Sequence, residues 1–282
     1  MELKTLSLLI VLLVAIGSAF WNINVKKSND QMIFVTLMVI PQFIIALPLA
    51  LLRPAITLQS FYYILASAIV QTGYILFLSN SYRHGLINRV YPLAIGIPPL
   101  LSLFFWHFIL KNPLSLMADL GVVLLSIGII SFTFAKRDKE AISTLGIIYA
   151  LATTIFIFLY SLIDTFGVRQ APNIIAYISW LFTIKALILF IPIFILYRLR
   201  LFKEMRQNNS YILAGLLAGI GYAVAIWAFA YTKTSSVLAL RATSIIFVFL
   251  FSIFYLKEPG SLKIFLLTLI DAFGVFLILT GE

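Results

Sequence analysis

Four charged side chains lie inside, or close to the ends of, stretches of the sequence that are otherwise apolar. Lys185 is at the centre of the stretch from Asn173 to Tyr197, Asp271 lies deep in the last stretch, and Arg241 and Asp164 lie nearer the ends of theirs. A charge at the centre of a bilayer costs about 2.5–3.5 kcal/mol on insertion scales, so such side chains usually face a protein interior and have partners. The sequence therefore predicts a polar interior within the membrane.

Two kinds of chemistry are open to these charges. Lys185 and Arg241 could bind the carboxylate or phosphate of an anionic or zwitterionic solute through charge-assisted hydrogen bonds. Alternatively, Lys185 could pair with Asp271, and Arg241 with Asp164, as buried structural ion pairs or as coupling groups. The spacing of the residues does not choose between these interpretations.

Further polar and aromatic side chains recur at helical spacing and could line the same interior. Gln71 and Tyr74 lie on a polar stripe, and several other residues lie one helical turn from a polar or aromatic neighbour. Each of them could instead serve interhelical hydrogen bonding or packing. The candidate substrate-binding residues are Lys185, Arg241, Gln71, Tyr74, Asn22, Tyr160, Trp227, Tyr231, Tyr91 and Ser244.

Ten long apolar stretches must position these side chains. The chain is 62% hydrophobic and only 11% charged, and about 20 apolar residues cross a bilayer as a helix. Because lipid supplies no hydrogen bonds to the backbone and period-2 alternation is absent, we expect helices and not a barrel. We also expect the first stretch to be retained as a helix, not cleaved as a signal. The predicted helices are Thr5–Val25, Gln31–Leu52, Pro54–Tyr82, Leu86–Leu110, Leu114–Phe134, Ala141–Ile163, Asn173–Tyr197, Gln207–Thr232, Ser235–Leu256 and Ser261–Gly281.

The fourth stretch contains Pro92, Gly96, Pro98 and Pro99. Proline removes a backbone donor and favours a kink. We therefore expect a bend or break in this helix.

An internal repeat divides the chain into two halves. Phe108–Leu116 resembles Phe254–Leu262 at an offset of 146 residues, and Gly128 matches Gly274 at the same offset. Each half, residues 1–141 and 142–282, would hold five helices. Because five is odd, the second half would enter the membrane from the opposite face, which predicts an all-α membrane protein of two inverted five-helix repeats.

The basic residues predict the orientation. Of the twenty Lys and Arg residues, thirteen fall on the face where the odd-numbered helices end, and five fall on the face that carries both termini. Because cytoplasmic loops are enriched in Lys and Arg, both termini are predicted outside. This distribution also explains the net charge of +10 without nucleic acid as a partner.

The chain resembles the drug/metabolite transporter superfamily, and within it the ten-helix EamA-type transporters. Lys257-Glu258-Pro259 is similar to the family's Gly-Glu-Pro junction, and Ala228–Ser236 is similar to its passage between helices eight and nine. Asn112 stands where the family's first half has Glu. The resemblance implies two four-helix bundles around a central cavity, with helices five and ten peripheral, in a bacterial plasma (inner) membrane.

We expect a secondary transporter that moves an amino acid or another anionic or zwitterionic metabolite by alternating access, as an efflux carrier. With no Cys, two His and no catalytic or nucleotide-binding motif, we expect neither an enzyme, a cofactor nor a metal site. The alternatives are an exchanger of nucleotide-like or phosphorylated metabolites, or a non-transporting receptor or channel. A proton or an exchanged solute could be the coupling species, and the chain could be a monomer or a homodimer.

Overall fold

The structure, a computed structural model, describes residues 3–52, 56–134, 143–254 and 262–281. Eleven α-helices and one π-helical turn contain nearly all of these residues, and the described ranges contain no strand. The helices are α1 Leu3–Lys27, α2 Gln31–Leu52, α3 Leu58–His84, α4 Ile87–Phe104, α5 Leu116–Phe132, α6 Thr144–Gln170, α7 Ile174–Gln207, α8 Ser210–Phe229, α9 Thr234–Ala242, α10 Ser244–Phe254 and α11 Leu262–Gly281. The predicted junction Lys257-Glu258-Pro259 lies outside the described residues.

Seven of these helices are long and apolar enough to cross a membrane, namely α1, α2, α3, α4 with its π-helical extension, α6, α7 and α8. Three further apolar segments, Leu116–Phe132, Thr234–Leu250 and Phe265–Gly281, are shorter. Large apolar side chains such as Leu13, Ile45 and Leu199 are exposed on the outside of the helices. The chain is therefore an all-helical integral membrane protein, as the sequence predicts.

Short polar side chains fix where the helices begin. Asp30 accepts hydrogen bonds from the backbone N–H groups of Met32 and Ile33 at the start of α2. Ser115, Ser143 and Asn173 accept from the backbone three residues further on, at the starts of α5, α6 and α7. Each cap satisfies a donor that the first helical turn leaves free.

Three features differ from the predicted helices. The seventh helix does not end at Tyr197; it bends there, with φ −129° and ψ 25°, and continues to Gln207. The fourth helix is unbroken through Pro92, Pro98 and Pro99 and changes only at Phe105–Ile109, which forms a π-helical turn. The predicted connection 198–206 is thus helical, and the change in the fourth helix lies beyond Pro99, within the predicted span. The ninth predicted span is interrupted instead, because Thr243 separates α9 from α10.

The helices pack in pairs that join the first half of the sequence to the second. α1 packs against α8, α3 against α6, α2 against α7, and α5 against α11, while α4 contacts α6, α5 and α9. The buried side chains form one large apolar core with contributions from both halves. The centre of the protein is consequently lined by helices that are distant in sequence.

The pair α5 and α11 comes especially close. A Cβ atom added to Gly121 would lie 2.7 Å from the carbonyl oxygen of Gly274, and one added to Gly274 would lie 3.0 Å from that of Gly121. Only glycine permits this backbone approach. The helices therefore form a tight pair.

Candidate functional site

A central cavity of about 80 Å³ lies between α1, α2, α3, α6, α7, α8 and α9. Its walls combine aromatic and aliphatic side chains with a few polar and charged ones. Five of the candidate residues line it: Gln71, Tyr74, Tyr160, Lys185 and Arg241. The sequence interpretation thus selected residues from four helices that the fold brings to one place.

Lys185 enters this cavity from the middle of α7 and is 6% exposed. Its Nζ donates a hydrogen bond of 3.1 Å to Oε1 of Gln42, and the ammonium lies 4.4 Å from the ring centroid of Phe182. The other end of the Gln42 amide donates to the carbonyl oxygen of Gly215 at 3.0 Å. Gln42 therefore connects the charge of α7 to the backbone of α8.

Arg241 enters from the last turn of α9, immediately before the interruption at Thr243. Its guanidinium lies 5.1 Å from the ring centroid of Tyr222, a geometry typical of a cation–π contact. No carboxylate forms an ion pair with Arg241 or Lys185 in the part of the chain that the structure describes.

Asp164 lies directly behind the cavity wall and is fully buried. Its Oδ1 accepts from the Tyr177 hydroxyl at 2.9 Å, and its Oδ2 accepts from the Gln71 amide at 3.2 Å and from the Tyr222 hydroxyl. Gln71 also donates to Ser67 at 3.0 Å. One carboxylate thus ties together α3, α6, α7 and α8, and its charge acts on Lys185.

Three tyrosine rings form the wall between Asp164 and Arg241. The centroid of the Tyr160 ring is 5.4 Å from those of both Tyr74 and Tyr222, in edge-to-face geometry. Tyr222 also stacks on Phe182, which supports Lys185. Edge-to-face aromatic pairs contribute about 0.5–1.5 kcal/mol beyond their burial, so the rings hold the two cations in place.

Neither of the two possible ion pairs forms. Lys185 donates to Gln42, whereas Asp271 packs against Gly128 at the contact between α5 and α11. Neither carboxylate oxygen of Asp271 has a hydrogen-bonding partner within the described ranges. Arg241 and Asp164 do not pair directly either, because Tyr222 contacts both of them.

Three other candidates form a separate hydrogen-bonded chain. The Asn22 amide donates to the Tyr91 hydroxyl at 3.0 Å and accepts from the Tyr82 hydroxyl at 2.5 Å, and Tyr91 shares a hydrogen bond of 2.7 Å with Ser244. Asn22, Tyr91 and Ser244 are buried and are not part of the cavity lining. This chain joins α1, α3, α4 and α10.

The last two candidates lie away from the cavity. Trp227 and Tyr231 contact each other edge-to-face at 5.8 Å near the end of α8, and Tyr231 is 40% exposed. Neither lines the central cavity. Their shared face indicates packing at the end of the helix.

The sequence interpretation missed Gln42, Tyr222 and Trp21, which all line the cavity. Gln42 had a recognisable signal, since it is a lone amide in the apolar interior of α2, next to Pro41. Tyr222 and Trp21 had none, because aromatic residues are common throughout this chain.

The described residues contain no group of three or more His, Asp and Glu side chains arranged to hold a metal ion. The site instead offers two cations, two amides and three phenol groups around a small space. This arrangement can hold an oxyanion by charge and hydrogen bonds.

The fold and the site define the class of protein: an all-helical integral membrane protein with a central cavity that holds two cationic side chains. No known family and no curated protein matches the sequence. A solved structure described only as "Crystal structure of protein" is similar, with a TM-score of 0.72 and 14% identity over 97% of this chain and 95% of the other. At that identity the similarity shows the fold alone.

Proposed function

We propose that this protein is a secondary transporter of the EamA type, which carries a small anionic or zwitterionic metabolite by alternating access. The observation that carries the proposal is the placement of Lys185 and Arg241 in one central cavity, where no acid of the described residues forms an ion pair with either cation. A cation buried in a membrane protein without a paired acid favours a ligand that brings the negative charge. An amino acid or another small organic anion supplies it.

The pairing of the helices supports an inverted repeat with ten spans. If α1 to α5 correspond to α6, α7, α8, α9–α10 and α11, the contact of α3 with α6 corresponds to that of α8 with α1. The pairs α2 with α7, α4 with α9, and α5 with α11 then map onto themselves. A two-fold axis produces this exchange, and with five helices in each half the axis lies in the membrane plane.

Two helix ends support the same relationship. Lys26, at the end of α1, donates to the carbonyl oxygens of Tyr82 and Gly85 at 2.6 and 2.9 Å. Arg169, at the end of α6, donates to those of Phe229 and Thr232 at 2.9 and 2.6 Å. In both halves a cation of the first helix binds two carbonyls, three residues apart, where the third helix ends.

The glycine contacts of α5 and α11 support it at residue level. Gly128 faces Asp271, and Gly274 faces Leu125. At the offset of 146 residues, Gly128 corresponds to Gly274 and Leu125 corresponds to Asp271. An inverted repeat predicts this equivalence of the two contacts, and we propose that α5, α9–α10 and α11 cross the membrane with the other seven helices.

The dimensions of the cavity support alternating access. A volume of about 80 Å³ has room for only a few water molecules, so the protein must open to admit a metabolite. Arg241 lies at the interruption between α9 and α10, and helices broken beside the binding site are a feature of secondary transporters.

We propose outward transport across a bacterial inner membrane, with both termini outside.

The test is counterflow in proteoliposomes. Thermal-shift screening of the purified protein against metabolite pools first identifies a solute, since a ligand that binds only the folded form stabilises it. We expect Lys185→Ala and Arg241→Ala each to abolish saturable counterflow of that solute while the protein stays folded in the membrane. Retained flux in both variants would contradict anion binding by this cavity. Binding without any flux would instead favour a receptor.

A further inference from the structure

A second cavity, here called the surface cavity, has a volume of about 250 Å³. It lies where α1 leads into α2, where α3 ends, and where α7 bends. Asn29 and Gln31 line it between α1 and α2, and Asn80 and Arg83 line it at the end of α3. Tyr197 and Arg200 line it at the bend of α7. Because these helix ends meet in one cavity, it opens at the Lys/Arg-rich face of the protein.

The surface cavity carries an excess of positive charge. Arg83 and Arg200 are exposed and form no ion pair with a described residue, and the guanidinium of Arg200 lies 5.6 Å from the ring centroid of Tyr197. Asp30 is the one acidic residue among the described lining. Its Oδ1 is held by the backbone N–H groups that begin α2, at 3.1 and 3.2 Å.

The surface cavity continues toward the central cavity along two helices. Val35 of α2 and Leu78 of α3 line the central cavity. Met32, one turn before Val35, and Ser79, the residue after Leu78, line the surface cavity. The Ser79 hydroxyl contacts Sδ of Met32 at 3.8 Å. A narrow contact between α2 and α3 therefore separates the two cavities.

We propose that the surface cavity is a second oxyanion site, at which Arg83 and Arg200 hold the carboxylate or phosphate of the solute at the Lys/Arg-rich face. The inference rests on the proposed transport function. Guanidinium groups bind carboxylate and phosphate in bidentate geometry, and Asn29, Gln31 and Asn80 add amide donors. The solute passes from this site to Lys185 and Arg241 when the contact of Met32 with Ser79 opens.

A lipid headgroup offers the same phosphate chemistry. The part of α7 after Tyr197 carries Arg198, Lys203 and Arg206, together with exposed Leu199 and Phe202, as helices at a membrane surface do. The solute is the favoured occupant because the surface cavity adjoins the central cavity along α2 and α3. The lipid is an outcome that the experiment distinguishes.

The experiment measures binding of inorganic phosphate to the full chain in nanodiscs of phosphatidylcholine, by calorimetry. We expect the double variant Arg83→Gln, Arg200→Gln to bind phosphate at least about tenfold more weakly. This change corresponds to the loss of at least one charge-assisted hydrogen bond. The matched control is Arg198→Gln, which removes a neighbouring charge whose guanidinium lies over Phe194, outside the surface cavity. The phosphate affinity of this control should stay within about twofold of that of the unmodified chain, because salt screens an exposed charge that does not contact the phosphate.

A second arm separates the surface cavity from the central one. The variant Lys185→Met, Arg241→Met removes the central cations and should still bind phosphate, with the same loss on Arg83→Gln, Arg200→Gln. Loss of flux with retained phosphate binding in this variant would support both transport through the central cavity and a separate oxyanion site in the surface cavity. Equal phosphate affinity of the unmodified chain and the Arg83→Gln, Arg200→Gln variant would overturn the surface site.

A third arm tests the lipid. Nanodiscs that contain phosphatidylglycerol are compared with those of phosphatidylcholine alone, and retained lipid is read by native mass spectrometry. Phosphate affinity that is the same in both bilayers supports the solute site. Phosphatidylglycerol that displaces phosphate, and that is retained by the unmodified chain but lost from Arg83→Gln, Arg200→Gln, would overturn it in favour of a headgroup site.

Discussion

Tyr222 donates a hydrogen bond from its hydroxyl to Asp164, and its ring lies under the guanidinium of Arg241. One side chain of α8 therefore links a buried carboxylate of α6 to a cavity cation of α9. The two functions of this tyrosine can be separated, because one uses the hydroxyl and the other uses the ring.

Tyr222→Phe removes the hydroxyl and keeps the ring. We expect the free energy of unfolding to fall by about 1.5–3 kcal/mol, the usual contribution of a hydrogen bond to a charged group, while the apparent solute affinity in counterflow stays nearly unchanged. Tyr222→Leu, which also removes the ring, should weaken that affinity. Equal affinities in the two variants would contradict a positioning role of the ring for Arg241.

Gln42→Glu places a carboxylate next to Lys185, whose Nζ lies 3.1 Å from Oε1 of Gln42. The new ion pair should compete with an anionic solute, so we expect the apparent affinity in counterflow to fall by about tenfold or more. Gln42→Met is the neutral control of similar size and should lower the affinity less. An affinity that is higher in the glutamate variant would indicate a cationic solute.

The two buried acids should respond in opposite ways to substitution by alanine. Asp164→Ala leaves the donors of Tyr177, Gln71 and Tyr222 without their acceptor, and we expect a loss of about 3 kcal/mol or more in the free energy of unfolding. Asp271→Ala removes a carboxylate that has no hydrogen-bonding partner among the described residues. Its melting temperature in detergent should be unchanged or higher, because an unsatisfied buried group costs about 1–3 kcal/mol. A loss of equal size in both variants would contradict this difference in environment.

Two glycines form a matched pair for testing close packing. A Cβ atom at Gly128 would overlap Oδ1 of Asp271, whereas one at Gly221 would meet nothing nearer than Oγ of Ser18 at 3.7 Å. We expect Gly128→Ala to destabilise the fold by about 1–3 kcal/mol. Gly221→Ala should raise stability by up to about 1 kcal/mol, since alanine favours helix.

Gly221→Ala should nevertheless lower counterflow, because Gly221 lines the central cavity and the added methyl group occupies part of its space. Thermal unfolding and flux, measured on the same preparations, check both effects. Normal flux in Gly221→Ala would show that the solute does not approach this wall.

The sequence by itself determined the class of structure. Because lipid supplies no hydrogen bonds to the backbone, each long apolar stretch forms its own backbone hydrogen bonds as a helix. Most helix positions therefore follow from the positions of these stretches. The cost of an unpaired charge in lipid also singled out Lys185 and Arg241, which the structure places in one cavity. These inferences need only local composition and length.

Which residues meet was decided by the tertiary structure alone. In water, the apolar face of a helix identifies its core side, but in lipid both the packed and the exposed faces are apolar, so periodicity does not give the rotation of each helix. For that reason the sequence offered Asp271 and not Gln42 as a possible partner of Lys185, and it offered Tyr231 and not Tyr222 as a candidate for the cavity. The packing of α2 on α7 and of α5 on α11 fixes those rotations, and with them the surroundings of Lys185 and Asp271.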